Sequence, residues 1–116
     1  LKMVFQTYLF DPANIDKLHF HLTSEGFKNG TKTFALLCQD IFLKPYDIHT
    51  DLKKINTPTL ILHGDADPIS WNFAEHIHQD IPKSRFVKLE QCGHFPYVEQ
   101  PDEMFANIRR FLRHIE

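Results

Sequence analysis

The stretch TLILHGDADP, Thr59 to Pro68, decides the reading of this chain, and FVKLEQCGHFP, Phe86 to Pro96, repeats its plan. Each is a short run rich in Leu, Ile and Val that ends at a glycine, the first followed by two carboxylates and the second by a histidine. Such runs, bounded by Pro or Gly, suit buried strands better than helices. A helix-length segment separates them, so the expected arrangement is a parallel pair with a right-handed crossover and both carboxyl ends on one edge of the sheet. Neighbouring strands lie about 4.8 Å apart. Asp67, just beyond one strand, and His94, just beyond the other, are therefore expected to meet by hydrogen bond, as the acid and base of a catalytic triad do.

These residues resemble the α/β-hydrolase fold family. There the triad acid sits in a G-x-x-D turn and the base in a G-H turn, and here those turns are Gly64-Asp65-Ala66-Asp67 and Gly93-His94. The order of acid before histidine is the family's order after its serine. The resemblance runs from about Asp51 to Glu116 and takes in strand, turn, helix, strand, turn and final helix. It implies an α/β architecture made of the last two parallel strands of that fold with their crossover and C-terminal helices. Asp67 would hold the tautomer of His94 and stabilise its imidazolium, and His94 would act as general base. Asp65 is the rival acid, but its place next to Gly64 suits the binding of turn amides.

The family's nucleophile occupies a G-x-S-x-G elbow between a strand and a helix. Ser24, Ser70 and Ser84 are the only serines, and none has that setting; nor do Cys38 and Cys92, and a G-x-D-x-G pattern is missing too. The chain opens on Leu1. The expectation is a C-terminal fragment of a hydrolase whose nucleophile and oxyanion hole lie upstream.

A chain of 116 residues with 42% hydrophobic content and 11 Phe is large enough to bury a core. Two strands offer little sheet, however, so the isolated segment is expected to self-associate through unpaired edges or uncovered apolar faces. A net charge of -2 gives no basic footprint for nucleic acid, and no apolar run is long enough to span a membrane. Two widely separated cysteines are not a disulfide framework and fit a reducing cytoplasm. His19-Phe20-His21 and His76-Ile77-His78 raise a metal reading, but i and i+2 positions on a helix face apart, so no metal and no cofactor is expected.

Along the chain, Leu1 to Phe10 has no clean period. Asp11-Pro12 is a helix start, with Ile15, Leu18 and Leu22 on one face and Gly26 as the expected stop. Thr33 is expected to cap a second helix whose Phe34, Leu37, Cys38 and Ile41 share a stripe, closed by Lys44-Pro45. The resemblance implies that residues 1–45 form a helical cap and 46–116 the C-terminal part of the core. Thr57-Pro58 leads into the first strand, whose Leu60-Ile61-Leu62 does not alternate, as expected when helices cover both sheet faces. Ser70 should cap the crossover helix, with Phe73, Ala74, Ile77 and Ile81 inward. From Gln100-Pro101 the last helix should bury Met104, Phe105, Ile108, Phe111, Leu112 and Ile115, with acids at its start and bases toward its end.

The function expected is hydrolysis of a small-molecule ester, amide or activated carbon–carbon bond by the intact parent, with esterase-like acyl transfer favoured. Trp71, Phe95 and Tyr97 are candidates to line the substrate pocket, although aromatics are as readily core. Cys92 is read as a packed residue and not a nucleophile. The competing class is a non-catalytic module that keeps these last strands for binding or assembly.

Overall fold

The structure, a computed structural model, describes residues 2–19, 23–44 and 46–115. Leu22, Pro45 and the Phe20-His21 half of the first histidine motif lie outside the described residues. Two compact units are present: Leu1–Leu18 together with His49–Glu116, and His19–Ile48.

The first unit is built on a two-stranded parallel sheet. Strand β1, Thr59–Gly64, pairs with β2, Ser84–Leu89, in a register that runs from Thr59 opposite Ser84 to Gly64 opposite Leu89. Between them helix α4, Trp71–Asp80, makes the crossover. Ser70 caps it by accepting from the Asn72 amide, one of the N-terminal donors without a helical partner. Ala74 and Ile81 are buried and Ile77 half-buried, but Phe73, expected inward, is 64% exposed. Helix α6, Pro101–Leu112, has Asp102 and Glu103 in its first turn and Arg109 and Arg110 in its last, the charge order that complements the macrodipole. It covers less than expected. Met104, Ile108 and Phe111 are half-buried, whereas Phe105, Leu112 and Ile115 are exposed. Both α4 and α6 pack on β1 and β2, and a two-stranded sheet has too little surface to cover a wide apolar stripe. Leu60, Ile61 and Leu62 are accordingly half-buried.

The N-terminal residues complete this unit. Helix α1 spans Lys2–Gln6, and a 3-10 helix spans Pro12–Lys17, with Asp11 accepting from the Ala13 amide. The helix expected to continue to Gly26 thus stops at Lys17, with Leu18 extended. Leu9, Ile15 and Leu18 form a buried cluster against which Phe5, Phe95 and Val98 pack. Residues 2–18 thus pack with the C-terminal segment within this unit. Helix α3, His49–Leu52, is bound to α4 through Asp80, which meets His49 Nδ1 and lies 3.8 Å from Lys53 Nζ.

The second unit holds one long helix, α2, Ser24–Leu43. The two expectations here are overturned: Gly26 does not end a helix and Thr33 does not begin one. Thr23 is the cap, its hydroxyl accepting from the Gly26 amide, and Asn29-Gly30 lies in mid-helix. A capped first turn and good helix formers at Ala35, Leu36 and Leu37 help offset the roughly 1 kcal/mol that each glycine costs. Lys44 is the C-cap, as expected. Phe34, Leu37 and Ile41 are all more than half exposed within this unit, and α2 has no buried residue. No helix among the described residues is long and apolar enough to cross a membrane.

Candidate active site

The site is built where the two strands end. Beyond β1 the Asp65 amide donates to the Leu89 carbonyl at 2.9 Å, which extends the ladder by one bond, and the Ala66 amide donates to the Cys92 carbonyl at 2.9 Å. Asp65 Oδ1 accepts from the Cys92 amide at 3.2 Å. The turn after β1 is thereby fastened to the turn after β2 in both directions. Gly64 makes this possible. A Cβ there would lie 2.2 Å from the Cys92 carbonyl oxygen and 2.3 Å from that of Gly93, which no side chain tolerates.

The fastened turns bring Asp67 and His94 together. His94 Nδ1 lies 2.8 Å from Asp67 Oδ2, across 27 residues of sequence. Asp67 Oδ1 accepts from the Ile69 amide at 2.8 Å, so both carboxylate oxygens are engaged. An ionised carboxylate only accepts, so Nδ1 carries the proton and Nε2 is left as the basic nitrogen. The acid side chain is 6% exposed and the imidazole 41% exposed, which places a shielded acceptor behind a ring open to solvent. Of the two rival acids, Asp67 reaches the imidazole and Asp65 reaches a backbone amide.

Three residues at the site were not singled out by the sequence. His63 Nε2 lies 3.8 Å from the same Asp67 Oδ2, while its Nδ1 lies 2.9 Å from the Gly64 carbonyl oxygen. Tyr8 accepts from the His94 amide at 2.7 Å through its carbonyl, and its ring stands edge-on to the imidazole with centroids 5.5 Å apart. Glu99, at the end of helix α5, Pro96–Glu99, accepts from the Gly93 amide at 2.6 Å and from the amides of Phe10 and Asp11. A histidine inside a strand and an acid in a short proline-led turn are unremarkable as sequence. Backbone acceptors such as Tyr8 leave no sequence signal at all.

The aromatic candidates divide. Phe95 packs against the buried Leu9 cluster and also stands perpendicular to His94 at 5.4 Å. Tyr97 is 52% exposed with its ring 6.2 Å from Phe95, and Trp71 lies under Lys88, whose Nζ is 4.0 Å from the ring centroid. Cys92 is fully buried, and its thiol is pushed up to about 12, first by burial and then by the nearby charges of Glu99, Asp65, Asp67 and Glu103. At neutral pH it carries its proton and is no nucleophile. Ser84 stands at the opposite end of the sheet, in register with Thr59. Its hydroxyl lies within hydrogen-bond distance of the Ile81 and His78 carbonyls and 2.7 Å from His78 Nδ1, so it ties α4 to β2. His78 is thus turned to Ser84. Ser70 is occupied as a helix cap.

Comparison with known proteins agrees with this architecture. The Alpha/beta hydrolase family profile matches residues 9–107. Over 98 residues the chain is 35% identical to a putative protein-lysine deacylase of Rattus norvegicus, covering 84% of this chain and 44% of that protein. It is 38% identical over 73 residues to a proline iminopeptidase of Heyndrickxia coagulans, covering 63% of this chain and 25% of the relative. Among solved structures, an esterase from Rhodococcus is similar with a TM-score of 0.56 and 29% identity over 59% of this chain and 25% of that one. The chain thus spans less than half the length of each of these proteins.

Proposed function

This chain belongs to the alpha/beta hydrolase family, and on that premise we propose that Asp67 and His94 are the acid and base of a serine-hydrolase triad whose nucleophile lies outside residues 1–116. The observation that carries the proposal is the 2.8 Å bond from His94 Nδ1 to Asp67 Oδ2, with the ring otherwise open. In this scheme Nε2 takes the proton of a serine hydroxyl as its oxygen attacks the substrate carbonyl, and returns that proton to the leaving group as the acyl-enzyme forms. Water, deprotonated by the same nitrogen, then releases the acid and restores the serine. Asp67 stays ionised throughout and stabilises the imidazolium.

Esterase-like acyl transfer on a small molecule is the favoured reaction. An esterase, an iminopeptidase and a putative deacylase stand among the similar proteins, and attack at an acyl carbon is the chemistry these names share. The parent is assigned to a reducing cytoplasm, which suits two free cysteines. Residues 1–116 by themselves are expected to turn over no substrate, since none of Ser24, Ser70 and Ser84 lies in a G-x-S-x-G elbow and the last two serve as cap and tie. They are expected to self-associate through apolar faces such as that of Phe34, Leu37 and Ile41, each more than half exposed. Light scattering that finds only monomer at high concentration refutes that expectation.

The test of the main proposal is hydrolysis of an activated ester by a protein joining these residues to a G-x-S-x-G elbow. His94→Ala should lower kcat by about 10⁶-fold with the fold intact. Unchanged turnover refutes the acid–base assignment.

A further inference from the structure

We infer that Glu99 is a positioning residue for His94: its carboxylate ties the His94 turn to the Tyr8–Asp11 strap and so holds the imidazole against Asp67. This rests on the acid–base reading of His94.

Among the described residues, Glu99 binds backbone amides. Oε2 accepts from the Gly93 amide at 2.6 Å and the Phe10 amide at 3.1 Å, and Oε1 accepts from the Asp11 amide at 2.9 Å. Three N–H groups on one carboxylate form charge-assisted bonds, stronger than neutral ones. They join points 88 and 89 residues apart in sequence. Pro96 opens the short helix that carries Glu99 immediately after Phe95, so the chain turns back at once and the carboxylate returns to the residue before His94.

The strap then acts on His94 itself. The Tyr8 carbonyl accepts from the His94 amide at 2.7 Å, and the Tyr8 ring meets the imidazole edge-on. A Cβ at Gly93 would lie 2.2 Å from the Tyr8 oxygen and 3.0 Å from Glu99 Oε2, so strap and turn touch through bare backbone. Residues 93 and 94 are thus held from outside the sheet by Glu99 and Tyr8, while Asp67 holds the ring from the β1 side. The Nδ1–Oδ2 bond spans two separate turns, so a displacement of about 1 Å carries it out of hydrogen-bond range. Freed of Asp67, an imidazole has no reason to keep its proton on Nδ1.

That tautomer is directly readable. Long-range proton–nitrogen correlation spectra of the 116-residue chain in mildly alkaline buffer distinguish Nδ1–H from Nε2–H imidazole. The expected result is Nδ1–H at His94 in the unchanged chain and its loss in Glu99→Ala. Glu99→Asp, one methylene shorter, reaches the Gly93 amide or the strap but not both, and should give a mixture. If Glu99→Ala fails to fold, Glu99→Asp decides. A folded variant that loses thermal stability but keeps the original tautomer overturns the inference, because Glu99 is then a stabilising residue and nothing more. An unchanged chain already in the Nε2–H form overturns it as well. Persistence of hydrolysis in His94→Ala would instead refute the acid–base reading, and the tautomer experiment needs no turnover, so the two failures are separable.

Discussion

Gly64→Ala is the most informative single change in this molecule. The added methyl carbon would sit 2.2 Å from the Cys92 carbonyl oxygen, 2.3 Å from the Gly93 carbonyl oxygen and 2.7 Å from the Cys92 carbonyl carbon. All three neighbours are backbone, so no side chain can swing aside, and the turns must separate by about 1 Å to reach ordinary contact. Three bonds hold them together: Asp65 amide to Leu89, Ala66 amide to Cys92, and Cys92 amide to the Asp65 carboxylate. At about 1 kcal/mol each, their loss gives a destabilisation of about 3 kcal/mol, and overpacking of the buried turn contributes a similar amount if the bonds are kept instead. Urea titration followed by far-ultraviolet circular dichroism, at one fixed protein concentration, reads this as a lowered midpoint. With a slope of about 1–3 kcal/mol per molar urea, the midpoint should fall by at least ~1 M. The same variant should lose the Nδ1–H tautomer of His94, since Asp67 and His94 ride on the separated turns. A midpoint within experimental error of the unchanged chain would refute the claim that glycine is demanded here by close approach of the two turns.

Four further outcomes follow from the structure. Cys92, held at about 12, should resist iodoacetamide in the folded chain while the half-buried Cys38 reacts, and both should label in urea. The unfolded thiol ionises near its ordinary 9.0 and the folded one near 12, so Cys92 contributes stability that is whole below pH 9 and lost as pH rises toward 12; Cys92→Ala should flatten that slope in urea titrations. Asp65→Ala should cost about 1–2 kcal/mol through the orphaned Cys92 amide yet leave the His94 tautomer largely in place, whereas Asp67→Ala should abolish the tautomer; equal effects on the tautomer would undo the division of roles between the two acids. Thr23→Ala removes the acceptor of the Gly26 amide and should lower the helicity of α2 at a cost of about 1 kcal/mol, and unchanged helicity would argue against Thr23 as the cap.

Much of this arrangement was legible without coordinates. The apolar runs at Leu60 and Phe86, the glycines that end them and the helical period between them specify strands, turns and crossover through neighbours two to four residues apart, which is the range that side-chain patterning encodes. Because both turns follow parallel strands, the approach of Asp67 to His94 follows from topology alone. Helix α2 departs from the sequence expectation for a local reason: a glycine is a weak breaker when the first turn is capped, and Gly26 supplies the very amide that Thr23 caps.

By itself, then, the sequence determined the parallel pair, its crossover, the final helix and the acid and histidine at one sheet edge, since each is written in side-chain type and spacing. Only the tertiary structure decided that residues 2–18 pack with the C-terminal segment, that Phe105, Leu112 and Ile115 remain exposed, and that Glu99 and Tyr8 hold the His94 turn. Those features depend on backbone amides finding distant acceptors, Phe10 and Asp11 on the Glu99 carboxylate and His94 on the Tyr8 carbonyl, and on how much sheet there is to cover. Every residue but proline carries the same backbone donor, so amino-acid identity does not say which amides a carboxylate or carbonyl far away in sequence will meet.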